Sequence, residues 1–305
     1  MIFLPRDFIE TGEGLLFAVV DAVIEDGKAL CFLRYGPAGK LSTAAANYLL
    51  HDSFPQYLHH SLRLNADLHA VPVECILKHH QPRKRVQALL AQCSKDGIER
   101  KLISLVKSLM EAGLPVECLG VTGSLLIGRQ SSTSDIDVVV YGSDYFFQAL
   151  ARVRELKKTG LLADLDELAW KDAYSRRGCE LSFEEYLWHE RRKGNMGLID
   201  GTKFDLALIV EDAIAEPPID WHKAGPATIQ AKVLDDSRSF EQPARYLIEH
   251  ADIDEILSFT QTYTGQARMG ETIQAAGQVE MASDGHKRLV VGSSREALGE
   301  FIRVI

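Results

Sequence analysis

Leu15 to Ile24 is a nearly continuous apolar run, and Ala29 to Tyr35 is a second one beyond Glu25-Asp26-Gly27. Two such runs joined through Asp-Gly predict a β-hairpin. The Ala-rich stretch from Leu41 to Leu50 predicts a helix. Ile98, Leu102, Leu105, Val106 and Leu109 recur at the helical period, and Gly113 stands where that helix would stop. Leu114 to Val121 and Asp135 to Tyr141 read as short buried strands, the second closed by Gly142. Tyr145 to Lys158 has amphipathic helical spacing, and Ser182-Phe183-Glu184-Glu185 is a capping box opening a helix to Lys193. Met196–Ile199 and Phe204–Val210 flank Asp200-Gly201, a second hairpin signal. Beyond residue 216, short strands are punctuated by Gly265, Gly270, Gly277, Gly285 and Gly292.

These elements predict an α+β chain in three parts. Residues 1–95 form an N-terminal α+β extension starting with the hairpin. Residues 96–215 alternate strands and helices around an α/β-like core with a mixed sheet. Residues 216–305 form a small all-β, barrel-like domain, with Ala215-Glu216-Pro217-Pro218 as the linker. The 305 residues carry 34 Lys+Arg against 43 Asp+Glu, a net −9, which excludes a bulk nucleic-acid coat. The last part is the more acidic, with nine basic against fourteen acidic residues. No apolar run approaches the length of a membrane span, and the N-terminus lacks the pattern of a signal peptide. Five scattered cysteines without a CxxC pair fit free, mostly buried thiols in a reducing cytoplasm.

One segment stands apart. Gly123-Ser124 ends an apolar strand; Gly128, Arg129 and a polar run to Ser134 follow; Asp135-Ile136-Asp137 opens the next strand. Glycine lets a phosphate approach the backbone, and the hydroxyl and free N–H groups of a helix start receive its charge. Residues i and i+2 of a strand share a face, so Asp135 and Asp137 stand side by side with Ile136 turned to the core. Adjacent carboxylates repel, and burying them without a cation is unfavourable. A hard divalent cation resolves this, because Mg²⁺ takes carboxylate, water and phosphate oxygens. Asp205, the one acid in the apolar run Phe204–Ile209, supplies a third carboxylate if its strand neighbours the first. Three carboxylates would hold two ions about 3.5–4 Å apart, the clamp for in-line displacement at phosphorus.

Gly-Ser, a spacer, Asp-x-Asp on a strand and a later lone Asp resemble the DNA polymerase β-type nucleotidyltransferase superfamily, and most closely its archaeal-type stand-alone predicted members. The resemblance covers roughly residues 97–210, about a third of the chain. It implies transfer of a nucleoside monophosphate from an NTP, ATP by default, to an acceptor hydroxyl with release of pyrophosphate. Gly123 and Ser124, with Gly128 and Ser134 of the matched segment, would hold the nucleotide. Asp135 and Asp137 would bind two Mg²⁺ ions (Mn²⁺ as a substitute), and Asp205 the catalytic one. Many minimal members carry a basic residue where this chain has Ile127. The nearest base is Arg129, and Arg191, Arg192 and Lys193 are further candidates to neutralise phosphate. An RNA acceptor is favoured; a protein or small-molecule acceptor stays open. The competing readings are a non-catalytic nucleotide- or RNA-binding module and a nucleotidyltransferase that modifies a partner protein.

Weaker signals surround this one. His51, His59, His60, His69, His79 and His80 crowd one region without metal-ligand spacing. Lys78 to Arg85 is the most basic stretch, suited to RNA phosphates or to a solvated segment. Tyr174 to Arg177 and Trp188 to Lys193 mix aromatics with bases, as a base-stacking site would, and as a helix with a basic last turn also would. Asp164-Leu165-Asp166 and Asp252-Ile253-Asp254 repeat the acidic spacing without a Gly-Ser pair before them.

Overall fold

The structure is a computed structural model that describes residues 2–92, 94–211, 221–294 and 297–305. The chain is α+β, and it divides into two compact units, Met1–Ala163 with Gly197–Ala215, and Asp164–Met196 with Glu216–Ile305. The sequence pattern suggested three parts. The first two share one unit because their apolar faces meet: Phe8, Leu16 and Tyr35 cluster with Leu126 and Ile127. Residues 164–196 group instead with the C-terminal strands. The expected linker at 215–218 lies outside the described residues.

The first unit opens with a seven-stranded sheet. Its strands are β1 (Phe8–Thr11), β2 (Leu16–Glu25), β3 (Lys28–Gly36), β4 (Gly39–Lys40), β5 (Leu58–Ser61), β6 (Ala66–Pro72) and β7 (Ile76–His80). The order is β5-β6-β3-β2-β1-β7, with β4 on β3. The β2–β3 turn is the expected one: Asp26 and Gly27 both take positive φ (50° and 74°), as a primed two-residue turn requires. One face of the sheet packs Ile9, Phe17, Val19 and Leu33 against Ala46 and Leu50 of helix α1 (Thr43–Ser53). Ser42 caps α1 through the Ala45 N–H (3.2 Å).

Five of the six histidines of this region meet polar partners. His69 accepts the Leu33 N–H through Nδ1 (2.9 Å) and meets Asn47 through Nε2 (3.0 Å). His59, His60, His79 and His80 each lie against a carboxylate, of Glu25, Asp67, Asp7 and Glu10. In the basic run, Lys78 and Lys84 are exposed, while Arg83 and Arg85 are half-buried and paired. The run forms the end of β7 and the start of helix α2 (Pro82–Leu90), which the periodicity did not predict although Pro82 stands at its first turn. Arg83 makes two hydrogen bonds to Glu211 and lies 3.6 Å from the Tyr141 ring centroid. Arg85 pairs with Glu99 and donates to the Leu125 carbonyl.

The second sheet of this unit is mixed and four-stranded, in the order β10-β11-β9-β8. Its strands are β8 (Leu119–Val121), β9 (Ile136–Tyr141), β10 (Met196–Ile199) and β11 (Thr202–Ile209). Strand β8 is shorter than Leu114–Val121, because a 3₁₀ turn at Val116–Cys118 follows Pro115. Helix α3 (Gly97–Met110) buries all five residues of its expected stripe. The single turn α4 (Gly123–Leu126) follows β8, and helix α5 (Ser143–Lys158) follows β9.

In the second unit, α6 (Glu167–Arg177) and α7 (Phe183–Lys193) accompany six strands. Asp166 is the N-cap of α6, which accounts for one of the stray acidic pairs (Ala169 N–H, 2.8 Å); Asp254 of the other meets His286. The capping box at Ser182 and Glu185 forms as expected. The strands are β12 (Trp221–Asp235), β13 (Ala244–Glu249), β14 (Glu255–Ser258), β15 (Thr272–Ala282), β16 (Lys287–Val291) and β17 (Phe301–Val304). Pairing of β12 with both β13 and β15 closes the ring β12-β13-β14-β16-β15, in which only β14 and β16 run parallel. The five strands thus form a closed, mostly antiparallel barrel.

Gly277 does not punctuate a turn; it lies within β15. A Cβ there would meet the Val290 carbonyl oxygen at 2.3 Å, so the glycine lets two strands approach. Gly277→Ala is therefore expected to cost about 1–3 kcal/mol, read as a lower denaturation midpoint of the second unit. No loss there would show that the barrel is looser than this packing.

Among the described residues, no helix is long and apolar enough to cross a membrane. Cys31, Cys75, Cys118 and Cys179 are unpaired; Cys31 and Cys118 are buried, Cys179 is half-buried and Cys75 is exposed. Cys93 lies outside the described residues.

Candidate active site

Strand β9 is apolar except at Asp137, and β11 is apolar except near its start and at Asp205. Such strands pair deep in a sheet. They run parallel and adjacent, and Asp205 stands directly beside Asp137, as Leu206 stands beside Val138. Neighbouring strands lie about 4.8 Å apart, so both side chains emerge together on one face. Asp205 is buried and Asp137 half-buried. Asp135 sits one residue before β9, where its carboxylate takes a hydrogen bond from Lys203 Nζ at 2.9 Å.

The turn after β8 faces the same place. The Thr122 N–H donates to the Asp137 carbonyl (2.9 Å), which aligns the strand end with β9. Gly123 then takes φ +66°, and a Cβ on it would lie 2.5 Å from Asp137 Oδ2. The backbone of Gly123 thus lies against the carboxylate, an approach that glycine permits. Ser124 is half-buried in the same turn, and its carbonyl accepts the Arg129 N–H (2.9 Å). Gly128 is exposed at φ +67° with open space around it. Ser134 builds the loop: its hydroxyl accepts the Ser131 N–H at 2.9 Å.

Burial pushes the Asp137 carboxyl up to about 6, and the Asp205 charge adds to this, with a smaller push from Asp135; Arg6 and Lys203 pull the other way. The ionised carboxylate is thus costly where it stands, chiefly because it is buried. Among the described residues, no three His, Cys, Asp or Glu side chains stand together as a ready metal-binding group. Asp135 has Lys203 as its counter-ion at 2.9 Å. The donor set of paired carboxylates beside an open backbone turn still fits a hard cation with oxygen ligands.

Several residues around the acids were missed in the sequence. Arg6 precedes β1 with φ +74°, a conformation costly for a bulky side chain. Its carbonyl receives the Thr122 hydroxyl at 2.6 Å. Tyr35 packs beside Leu126, and Ile127 completes the same cluster. That explains the absent base: the position carries an apolar contact with the N-terminal sheet. Lys203 and Arg34 were legible only as lone charges in or beside apolar strands.

The candidates Arg191, Arg192 and Lys193 belong to the second unit. Arg192 is ion-paired with Glu271 and stacks 4.1 Å from the Trp188 ring centroid. Lys193 is buried on Glu190 and the Thr262 carbonyl. Arg191 is exposed and lines a cleft with Glu184, Leu187 and Trp188. Tyr174 donates to the Leu181 carbonyl (2.7 Å) and packs on Phe183 and Tyr186, so it serves the core.

Over 98% of its length the chain is 35% identical to the uncharacterized protein MJ1086 of Methanocaldococcus jannaschii, of which the match covers 98%. The two proteins belong to one family. That relative's description names no activity. No family model matches the chain, and no solved structure does.

Proposed function

We propose that the protein is a metal-dependent nucleotidyltransferase that moves a nucleoside monophosphate from an NTP to an acceptor hydroxyl. The observation that carries this reading is the parallel register of Asp137 beside Asp205, with Gly123 against the Asp137 carboxylate. Asp137 and Asp205 would hold Mg²⁺, joined by Asp135 once it leaves Lys203. When bound, the ions supply charge neutralisation for in-line displacement at phosphorus. Gly123 and Ser124 give the phosphates an approach to the backbone. Asp205 takes the proton of the acceptor hydroxyl as the new O–P bond forms and the bond to pyrophosphate breaks. The closed barrel of the second unit supports a nucleic-acid acceptor, while its acidic balance argues for few phosphate contacts.

The test is incubation with each α-³²P-labelled NTP, Mg²⁺, cellular RNA and protein extract, beside the double variant Asp135→Asn/Asp137→Asn. Label entering RNA with one NTP, absent from the variant, is the expected result. Label entering protein would keep the transfer chemistry and replace the acceptor. Neither label nor pyrophosphate release above the variant would overturn the reading in favour of a binding module.

A further inference from the structure

We propose that the triphosphate of the donor nucleotide is held by the N-terminal sheet, through Arg34 and Arg6, together with Arg129 beside it. The inference rests on the nucleotidyl-transfer reading and assigns the counter-charge that the turn after β8 does not carry. Ile127 is committed to the cluster with Phe8, Leu16 and Tyr35, so α4 offers no cation.

Three arginines from separate segments replace it. Arg34 is the extra residue of a β-bulge: Leu16 pairs with Tyr35 and Phe17 with Leu33, which leaves Arg34 unopposed between them. A bulge re-aims a side chain, and bulges gather beside active sites. This one also turns Tyr35 onto the face that meets Leu126, while Leu33 keeps to the opposite face. The half-buried Arg34 guanidinium has no hydrogen-bond or ion-pair partner among the described residues. Arg129 reaches the same strand, since its Nη1 donates to the Gly36 carbonyl at 3.3 Å. Tyr35, next to Arg34 on that strand, packs on Leu126 of α4, the turn that begins at Gly123 against Asp137, and its hydroxyl, raised by burial, feels the charges of Arg34, Asp137 and Arg129.

Arg6 stands just before β1. Its N–H donates to the Val19 carbonyl (2.9 Å) and its own carbonyl is fixed by Thr122, so the left-handed backbone is held from both sides. Its charge acts on Asp137. Lys203 makes a fourth cation, released from Asp135 if a metal takes that carboxylate. Cations brought near paired carboxylates suit a ligand that is itself a metal-bound polyanion, because each sign meets its opposite.

The test is equilibrium binding of the four ribonucleoside triphosphates and their monophosphates to the full-length protein with Mg²⁺. Wild type is expected to prefer triphosphate. Arg34→Ala and Arg129→Ala should each weaken triphosphate binding about 10-fold or more, the range for a charged hydrogen bond, and leave monophosphate binding unchanged. Arg6→Gly should weaken it likewise while melting no lower than wild type, because glycine relieves the positive φ. Arg154→Ala, an exposed arginine on α5, should change nothing. Wild-type triphosphate preference in correctly folded Arg34→Ala and Arg129→Ala, with label transfer intact, overturns this assignment alone. Triphosphate binding that stays intact while RNA binding falls also overturns it. A wild-type protein that binds no triphosphate overturns both this assignment and the transfer reading.

Discussion

Asp137→Asn is expected to abolish nucleotidyl transfer, by about 10³-fold or more, and at the same time to stabilise the metal-free protein. The two effects have one cause. Burial and the Asp205 charge raise the folded-state value of Asp137 to about 6 from an ordinary 3.8. A carboxyl raised on folding binds its proton more tightly in the native chain. Its contribution therefore turns unfavourable as pH rises from about 4 to about 6, and the full cost persists above that. The neutral amide removes this cost, about 3 kcal/mol at pH 7.5. Urea melts of wild type and variant at pH 7.5 and pH 4.5 give the check. The gain should be present at the higher pH and mostly gone at the lower. A variant less stable than wild type at pH 7.5 would mean that Asp137 is held by favourable partners and is not a strained ligand. Mg²⁺ should stabilise wild type more at pH 8 than at pH 5, since it competes with the Asp137 proton.

Gly123→Ala should cost about 2–4 kcal/mol of stability and about 10²-fold or more of activity. The methyl group would stand 2.5 Å from Asp137 Oδ2, so the carboxylate must move. Displacing a catalytic group by an ångström costs about 10²-fold, and the left-handed backbone adds about 1–2 kcal/mol for a residue with a Cβ. Gly128→Ala is the control. Its φ is also positive, +67°, but nothing lies within 4 Å of the new methyl. It should lose only the backbone part and keep its activity. Equal activity losses in the two variants would show that backbone freedom matters in this loop, and that the approach to Asp137 does not.

Much of the fold was written in local pattern. The stripe of α3, the Asp-Gly turns and the capping box at Ser182 are short-range devices, and each forms as its residues dictate. Helices α2 and α6 were not legible by periodicity. Helix α2 is carried by tertiary bonds of Arg83 and Arg85, and α6 has almost no apolar stripe of its own. Gly277 read as a turn for the same reason: only the neighbouring strand reveals why it lacks a side chain.

The candidate site divides in the same way. The sequence by itself singled out Asp137 and Asp205 as candidates, because an Asp inside an apolar strand is costly to bury. It also set Gly123 and Ser124 at a strand end as the place where a phosphate would approach the backbone; that a Cβ on Gly123 would meet Asp137 came from the tertiary structure. Only the tertiary structure decided that β9 and β11 are parallel neighbours in the register that sets Asp205 beside Asp137. Only it decided that Asp135 faces Lys203, and that Arg6, Arg34 and Tyr35 come from an N-terminal sheet with no motif of its own. Strand pattern is a property of neighbours along the chain, whereas charge acts through space. Cations that answer a cluster of carboxylates can be drawn from any segment that the packing of Phe8, Leu16 and Tyr35 on Leu126 brings near.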